Sequence, residues 1–133
     1  MNIKGVSSLY RLNLISYFAR LTRDGAPLDD FANSALRNVL LVQKRRENGY
    51  RKDDSSVYRF KPGPELDANV VTAAAWIFIA GDHLVRRMDS GPYTIKVEDW
   101  YFWRKRLQEI RDLEGVSEET RQLAGRVAAV MEL

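Results

Sequence analysis

Residues 70–82, which read VVTAAAWIFIAGD, decide the fold because they form the most apolar stretch of the chain. Before the terminal glycine and aspartate, this stretch contains a single polar side chain, Thr72. A helix that is apolar on almost every side is normally buried by neighbouring elements. The run is shorter than the roughly 18 apolar residues of a transmembrane helix. We therefore predict a central core helix over about residues 67–88, with Trp76 filling the core. Glycine in mid-helix costs about 1 kcal/mol relative to alanine, so we expect close packing to explain Gly81.

Four further helices are predicted around the central one, from apolar residues that recur every three or four positions. Ser117 is the expected N-cap of the last of them. The chain between residues 49 and 66 is rich in turn-forming residues and is the longest irregular stretch, and no segment alternates convincingly as a strand. We assign the chain to the all-α class, as a single compact bundle of about five helices that forms one domain over residues 1–133. The approximate bounds of the four outer helices are 7–23, 28–48, 97–113 and 117–131.

Two of these helices carry patterns that predict which way their side chains face. In the first helix, one apolar stripe is expected to point into the core. In the fourth, two tryptophans are expected to point inward and the basic residues outward. The inward stripe of the first helix is Tyr10, Leu14, Tyr17, Phe18 and Leu21, and the outward residues of the fourth are Arg104, Lys105, Arg106 and Arg111.

Composition excludes several classes of protein. The chain has 133 residues, 21 basic and 18 acidic side chains, one histidine and no cysteine. Disulfides, thiolate metal sites and multi-histidine metal sites are therefore excluded. No nucleophile motif and no phosphate-binding glycine loop is present. We expect no catalytic residue, no metal and no cofactor, and the leading interpretation is a non-enzymatic interaction module.

An enzyme or small-ligand pocket around the single histidine is the first alternative. The neighbouring Asp82 cannot orient His83, since adjacent helical residues do not face each other. A carboxylate from another helix could instead pair with His83 and allow it to act as a base near neutral pH. The contrasting interpretation is a partly buried structural histidine. The candidate pocket residues are Trp76, His83, Trp100 and Trp103.

A basic segment offers the second alternative, which is weak nucleic-acid binding. Residues 43–61 carry seven basic and three acidic side chains, whereas the rest of the chain has 14 basic and 15 acidic ones. Interleaved aromatic rings could stack on bases while the basic groups contact phosphates. A solvated helix end followed by a surface loop is the simpler interpretation. The candidate basic and aromatic surface is Lys44, Arg45, Arg46, Tyr50, Arg51 and Lys52.

Surplus apolar residues on the first helix favour association with a protein partner or with a second copy. They broaden its apolar belt beyond what a terminal helix of a small bundle needs, and large exposed apolar patches are rare on soluble monomers. We expect a homodimer or a higher oligomer, built on exposed apolar residues of the first or fourth helix, and two-fold symmetry is the commonest arrangement. The competing explanation is that the segment 49–66 covers this helix within one chain. The candidate dimer surface is Leu9, Leu12 and Ile15.

Two segments carry a resemblance to a known family. One is the alanine-rich stretch 70–82, and the other is Trp100-Tyr101-Phe102-Trp103 with the basic residues that follow it. Together, over about residues 67–131, they resemble a family of uncharacterised all-helical proteins of filamentous fungi, known only as a domain of unknown function. Members carry an "AAxWI…AG[ED]" helix and later "RWxFW", from which this chain departs at Glu98-Asp99. The resemblance implies a fungal, intracellular, helical protein and no catalytic residue.

The location that we expect is cytoplasmic or nuclear, without membrane association. Residues 1–23 contain four basic and no acidic side chains, and they include three serines. This composition also resembles a mitochondrial presequence. The alternative interpretation, a first helix retained in the bundle, is the one that we adopt.

Overall fold

The computed structural model describes residues 3–40, 60–92 and 94–133, and for residues 3–10 it describes the backbone alone. These residues form five α-helices and no strand, which confirms the all-α class. The helices are α1 (Ile3–Arg23), α2 (Asp29–Leu40), α3 (Pro64–Arg86), α4 (Val97–Arg111) and α5 (Glu118–Val130).

α3 is the central helix, as its apolar sequence predicts. α1, α2 and α5 all pack against it, and α4 packs against α5 and α2. Trp76 of α3 has no exposed surface, while Trp100 and Trp103 of α4 are each 1% exposed. The buried apolar residues of all five helices form one cluster, so the described residues share a single hydrophobic core.

α3 begins three residues earlier than predicted, within a sequence that looks like a helix breaker. Gly63 adopts a φ of 150°, a conformation that favours glycine, and Pro64 takes the first helical position. Proline is well suited there, because the first N–H of a helix has no partner within the helix. Asp67, the expected cap, lies inside the first turn, and its carboxylate accepts a hydrogen bond of 2.8 Å from Thr120 of α5.

α1 is rotated relative to the expected orientation. Leu14 and Tyr17, predicted to point inward, are 39% and 51% exposed, whereas Ala19 is fully buried. Successive residues of a helix are about 100° apart, so Leu14 and Tyr17 lie beside the buried side of the helix, whereas Phe18 of the same stripe packs against the core as predicted. The inward side is lined by the smaller Ala19 and Thr22, which allow a close approach to the core. The prediction rests on the positions of the large apolar side chains and therefore misses these two residues.

Arg106 was expected to face outward, and this prediction is wrong. The side chain is 2% exposed, and its Nε donates a hydrogen bond of 3.2 Å to the carbonyl of Leu40 in α2. Its guanidinium also lies 4.0 Å from the ring centroid of Phe60 and bonds Glu109 at 2.6 Å. A buried arginine is tolerated when it is paired in this way. Glu109 lies on the same helix, whereas Leu40 and Phe60 come from distant parts of the chain.

One described helix, α3, is long and apolar enough to cross a membrane by length and composition alone. In the structure, 44% of its most apolar 18-residue window is buried by the rest of the protein. The core helix of a soluble protein has the same length and composition, and α3 occupies the centre of the bundle. We therefore interpret α3 as a core helix.

Gly81 is not explained by close packing, contrary to our expectation. A Cβ atom built on Gly81 would meet a single neighbouring atom, Cγ2 of Ile77, at the ordinary contact distance of 3.7 Å. Gly125 in α5 differs, since its Cβ would lie 3.1 Å from Cδ of Arg111. An alanine therefore fits at position 81 without any shift, but at position 125 it requires Arg111 to move.

We expect Gly81→Ala to raise the free energy of unfolding by about 0.5–1 kcal/mol, because alanine restricts the unfolded chain and favours the helix. Gly125→Ala is the matched control, and its gain should be smaller. Urea denaturation followed by circular dichroism measures both. A loss of stability for Gly81→Ala would show that the site is tighter than the described contacts.

We expect Trp76→Ala to lower the free energy of unfolding by about 3–5 kcal/mol, because it leaves a cavity at a fully buried position. Phe78→Ala, two residues further along α3, removes a side chain that is 43% exposed. This control should cost about 1–2 kcal/mol. Equal losses in the two variants, measured by the same denaturation, would contradict the central burial of Trp76.

Candidate functional site

An exposed aromatic surface lies where α1 and α2 flank the central helix. Tyr17 and Phe31 are 51% and 47% exposed. The half-buried ring of Phe18 lies between them, with its centroid 5.7 Å from Tyr17 and 5.0 Å from Phe31. Leu14, one turn before Phe18, lies on the same side of α1. We call Leu14, Tyr17, Phe18 and Phe31 the aromatic face.

The aromatic face is anchored in the hydrophobic core. The ring of Phe31 lies 5.9 Å from that of Trp76, which is fully buried, and Phe18 packs against the core cluster. These separations are within the range in which aromatic rings attract each other. The exposed rings are therefore the outer end of a continuous packed array, unlike the single apolar residues scattered over most protein surfaces.

Basic side chains border the aromatic face along α1. Arg11 lies one turn before Leu14, and Arg20 lies one turn after Tyr17; both are exposed. α1 contains no acidic residue. Within the described part of the chain, neither guanidinium forms an ion pair, so the α1 side of the face has a positive potential. On the exposed side of α2, Arg37 lies 3.8 Å from the carboxylate of Asp99 in α4, and Asp30 forms no ion pair among the described residues.

A polar cluster joins the beginning of α2 to the end of α3. The Asp29 side chain is 6% exposed, and its Oδ2 accepts a hydrogen bond of 3.1 Å from Nε of Arg87. Oδ1 of Asp29 lies 3.8 Å from Nε2 of His83. Both of these atoms are buried without a hydrogen-bond partner among the described residues. The cluster formed by Asp29, His83 and Arg87 therefore holds a buried carboxylate between two basic groups.

The carboxylate expected to approach His83 from another helix is thus Asp29. A separation of 3.8 Å is too long for a direct hydrogen bond, so Asp29 does not orient the imidazole as a catalytic dyad requires. The position of Asp29 in the first turn of α2 also suits the positive end of the helix dipole. We interpret the cluster as an electrostatic connection between α2 and α3, and it lies two residues from Phe31 of the aromatic face.

The tryptophans of the candidate pocket lie in the core. Trp76, Trp100 and Trp103 are at most 1% exposed. The indole Nε1 of Trp100 donates a hydrogen bond of 2.8 Å to the carbonyl of Met131, which ties α4 to the end of α5. His83 faces Asp29 instead. The four candidate residues therefore do not line one pocket. Three of them are core side chains, and His83 belongs to the polar cluster.

The other candidate residues are only partly covered by the structure. Leu12 and Ile15 of the candidate dimer surface are half-buried, and Ile15 packs against the core. The side chain of Leu9 lies outside the described residues. So does the whole candidate basic surface, which comprises Lys44, Arg45, Arg46, Tyr50, Arg51 and Lys52.

Two surface cavities lie elsewhere. One, of about 530 Å³, is bordered by the end of α2 and the beginning of α3, with Phe60 and Leu66 in its lining. The other, of about 580 Å³, runs along α5 and is lined by three arginines. These are Arg111, Arg121 and Arg126. Neither cavity includes a candidate pocket residue, and among residues 3–40, 60–92 and 94–133 no acidic, histidine or cysteine side chains cluster as a metal site would need.

The α5 cavity is bordered by a solvent-exposed ion pair. Arg111 donates two hydrogen bonds of 3.0 Å to the carboxylate of Asp112. These bonds lower the pKa of Asp112 and raise the pKa of Arg111. Since both side chains are exposed, the pair contributes little to stability.

A family model matches residues 4–107 and is described as a protein of unknown function, DUF3632. The chain belongs to the DUF3632 family. Comparisons with curated proteins and with solved structures found no significant match. The matched range includes the N-terminal half, for which the sequence analysis found no resemblance, and ends within α4. In this DUF3632 protein the aromatic face and the polar cluster both lie within the matched residues, whereas α5 and its cavity lie beyond them.

We expect Asp29→Asn to lower the free energy of unfolding by about 1–2 kcal/mol, because it removes the charge that pairs with Arg87 in a buried site. Asp30→Asn is the matched control, since Asp30 shares the first turn of α2 but is exposed. Its cost should stay below about 0.5 kcal/mol. If thermal denaturation gave equal losses, the helix dipole would account for the role of Asp29, and the polar cluster would contribute nothing.

Proposed function

We propose that this DUF3632 protein is a non-enzymatic protein-binding module and that the aromatic face is its docking surface. The observation that carries the proposal is the unbroken series of ring contacts from exposed Tyr17, through Phe18 and Phe31, to buried Trp76. Binding energy at protein interfaces is concentrated in a few aromatic side chains near the centre of the contact. The aromatic face provides two such side chains on adjacent helices.

The anchoring of the rings supports this proposal energetically. A partner that covers flexible surface side chains must immobilise them, at about 0.5–1.5 kcal/mol for each rotamer-rich one. Phe31 is held between Phe18 and Trp76, so much of its freedom is lost before any partner arrives. Covering Tyr17 and Phe31 would then gain the burial of apolar area at a low entropic cost.

An enzyme has less support, because the three tryptophans of the candidate pocket fill the core and Asp29 lies beyond hydrogen-bond distance of the imidazole. Self-association through the first or fourth helix stays a prediction, as does weak nucleic-acid binding through residues 44–61. The fungal origin and the cytoplasmic or nuclear location stay predictions of the resemblance and of the composition.

Site-specific photo-crosslinking tests the proposal. The photoreactive p-benzoylphenylalanine replaces Tyr17 in one variant and the exposed Glu119 of α5 in a control variant, and both are irradiated in the cells that produce the protein. We expect a protein adduct at position 17 and none at position 119. Adding Phe31→Glu should reduce the adduct at position 17 at least about threefold, because a buried charge at an interface is costly.

The control for folding is the melting temperature of Phe31→Glu. We expect it to fall by about 3–10 °C, because the side chain is 47% exposed but also packs on Phe18 and Trp76, and the variant should stay folded during irradiation. No adduct at position 17, or an adduct that Phe31→Glu leaves unchanged, would overturn the proposal. An adduct between two copies of the chain would support protein binding and identify the occupant as a second copy.

A further inference from the structure

We propose that the partner docked on the aromatic face is an acidic amphipathic helix of another protein. This inference rests on the proposed function and adds the chemistry of the partner. It follows from two properties of the described residues: the shape of the apolar surface between α1 and α2, and the sign of the charge along α1.

The shape of the aromatic face suits a helix. α1 and α2 both pack on α3, and their rings meet where Phe18 touches Phe31. Leu14 and Tyr17 lie one turn apart along the exposed side of α1, so the apolar surface is a stripe that follows a helix axis. A partner helix with apolar residues at positions i, i+3 or i+4, and i+7 presents a complementary stripe.

The positive charge on α1 favours acidic side chains on the polar side of that partner helix. Arg11 and Arg20 border the stripe at its two ends, nine residues or about 13 Å apart along the helix. α1 carries no acid that could neutralise them, and within the described residues neither one has an ion-pair partner. Carboxylates on both sides of the partner's apolar stripe would pair with these arginines and fix the orientation of the partner.

The same charges disfavour a second copy as the occupant. A two-fold axis across α1 would bring Arg11 and Arg20 of one chain towards the same basic helix of the other, and like charges at an interface oppose association. The exposed side of α2 cannot correct this, because Arg37 there is paired with Asp99 of α4, which leaves Asp30 as one carboxylate against the two arginines. An acidic partner therefore fits this surface better than the chain itself does.

A displayed library of amphipathic helices provides the test. Eighteen-residue helices keep an apolar stripe drawn from Leu, Ile, Phe and Met, and their remaining positions vary among Asp, Glu, Gln and Lys. The library is selected on the intact protein and counter-selected on the Tyr17→Glu/Phe31→Glu variant. We expect the enriched helices to be rich in Asp and Glu and to compete with one another for the same surface.

Charge variants then test the role of the arginines, with one selected helix as the probe. Arg11→Gln combined with Arg20→Gln should weaken binding about three- to thirtyfold, and the loss should shrink as salt is raised. Arg121→Gln combined with Arg126→Gln is the matched control, since it removes two exposed positive charges from α5. This control should change the affinity less than about twofold.

Several outcomes would overturn the inference. Enriched helices that are neutral or basic, a failure to select any helix that depends on Tyr17 and Phe31, or equal losses for the two arginine pairs would each do so. Binding to vesicles of anionic lipid that requires Tyr17 would assign the surface to membranes instead. If crosslinking at position 17 still yields a protein adduct, the proposed function stands and only the acidic chemistry of the partner is wrong.

Discussion

The structure depends on burying the apolar surface of α3. Trp76 is fully buried, and the side of α3 that stays open to solvent carries the 43%-exposed Phe78. α1, α2 and α5 share that task, and α4 completes the bundle by packing against α5 and α2. α3 is long and apolar enough to cross a membrane by length and composition alone, and the same apolar surface lets it organise a helical core.

α1 has more apolar surface than it needs to cover α3. The helix buries Ala19 and Thr22 and leaves Leu14 and Tyr17 in contact with solvent. A helix that only had to cover α3 would need one apolar face, whereas α1 has a second one beside the first. Exposing the second face to water brings no stability to the isolated domain. A docked partner would account for it, and this is the physical basis of the proposed function.

The sequence predicts the helices better than it predicts the polar contacts between them. Helical periodicity identified the five helices of the described residues. The expected cap is also confirmed, since Oγ of Ser117 accepts a hydrogen bond from the amide of Thr120. These are local features, which neighbouring residues determine. The burial of Arg106 and the approach of His83 to Asp29 are not local, because Arg106 bonds a carbonyl 66 residues away. No pattern along the chain indicates such a pair until the helices are packed together.

Two polar contacts between distant parts of the chain hold α2. Asp29 in its first turn is paired with Arg87, the residue that follows α3, and the carbonyl of Leu40 accepts a hydrogen bond from Arg106 of α4. The negative charge of Asp29 also has the sign that the helix dipole favours at the start of a helix. A helix held at two points this far apart has little freedom to rotate about its axis. Phe31 is therefore held towards Phe18, and polar contacts between distant parts of the chain fix the geometry of the aromatic face.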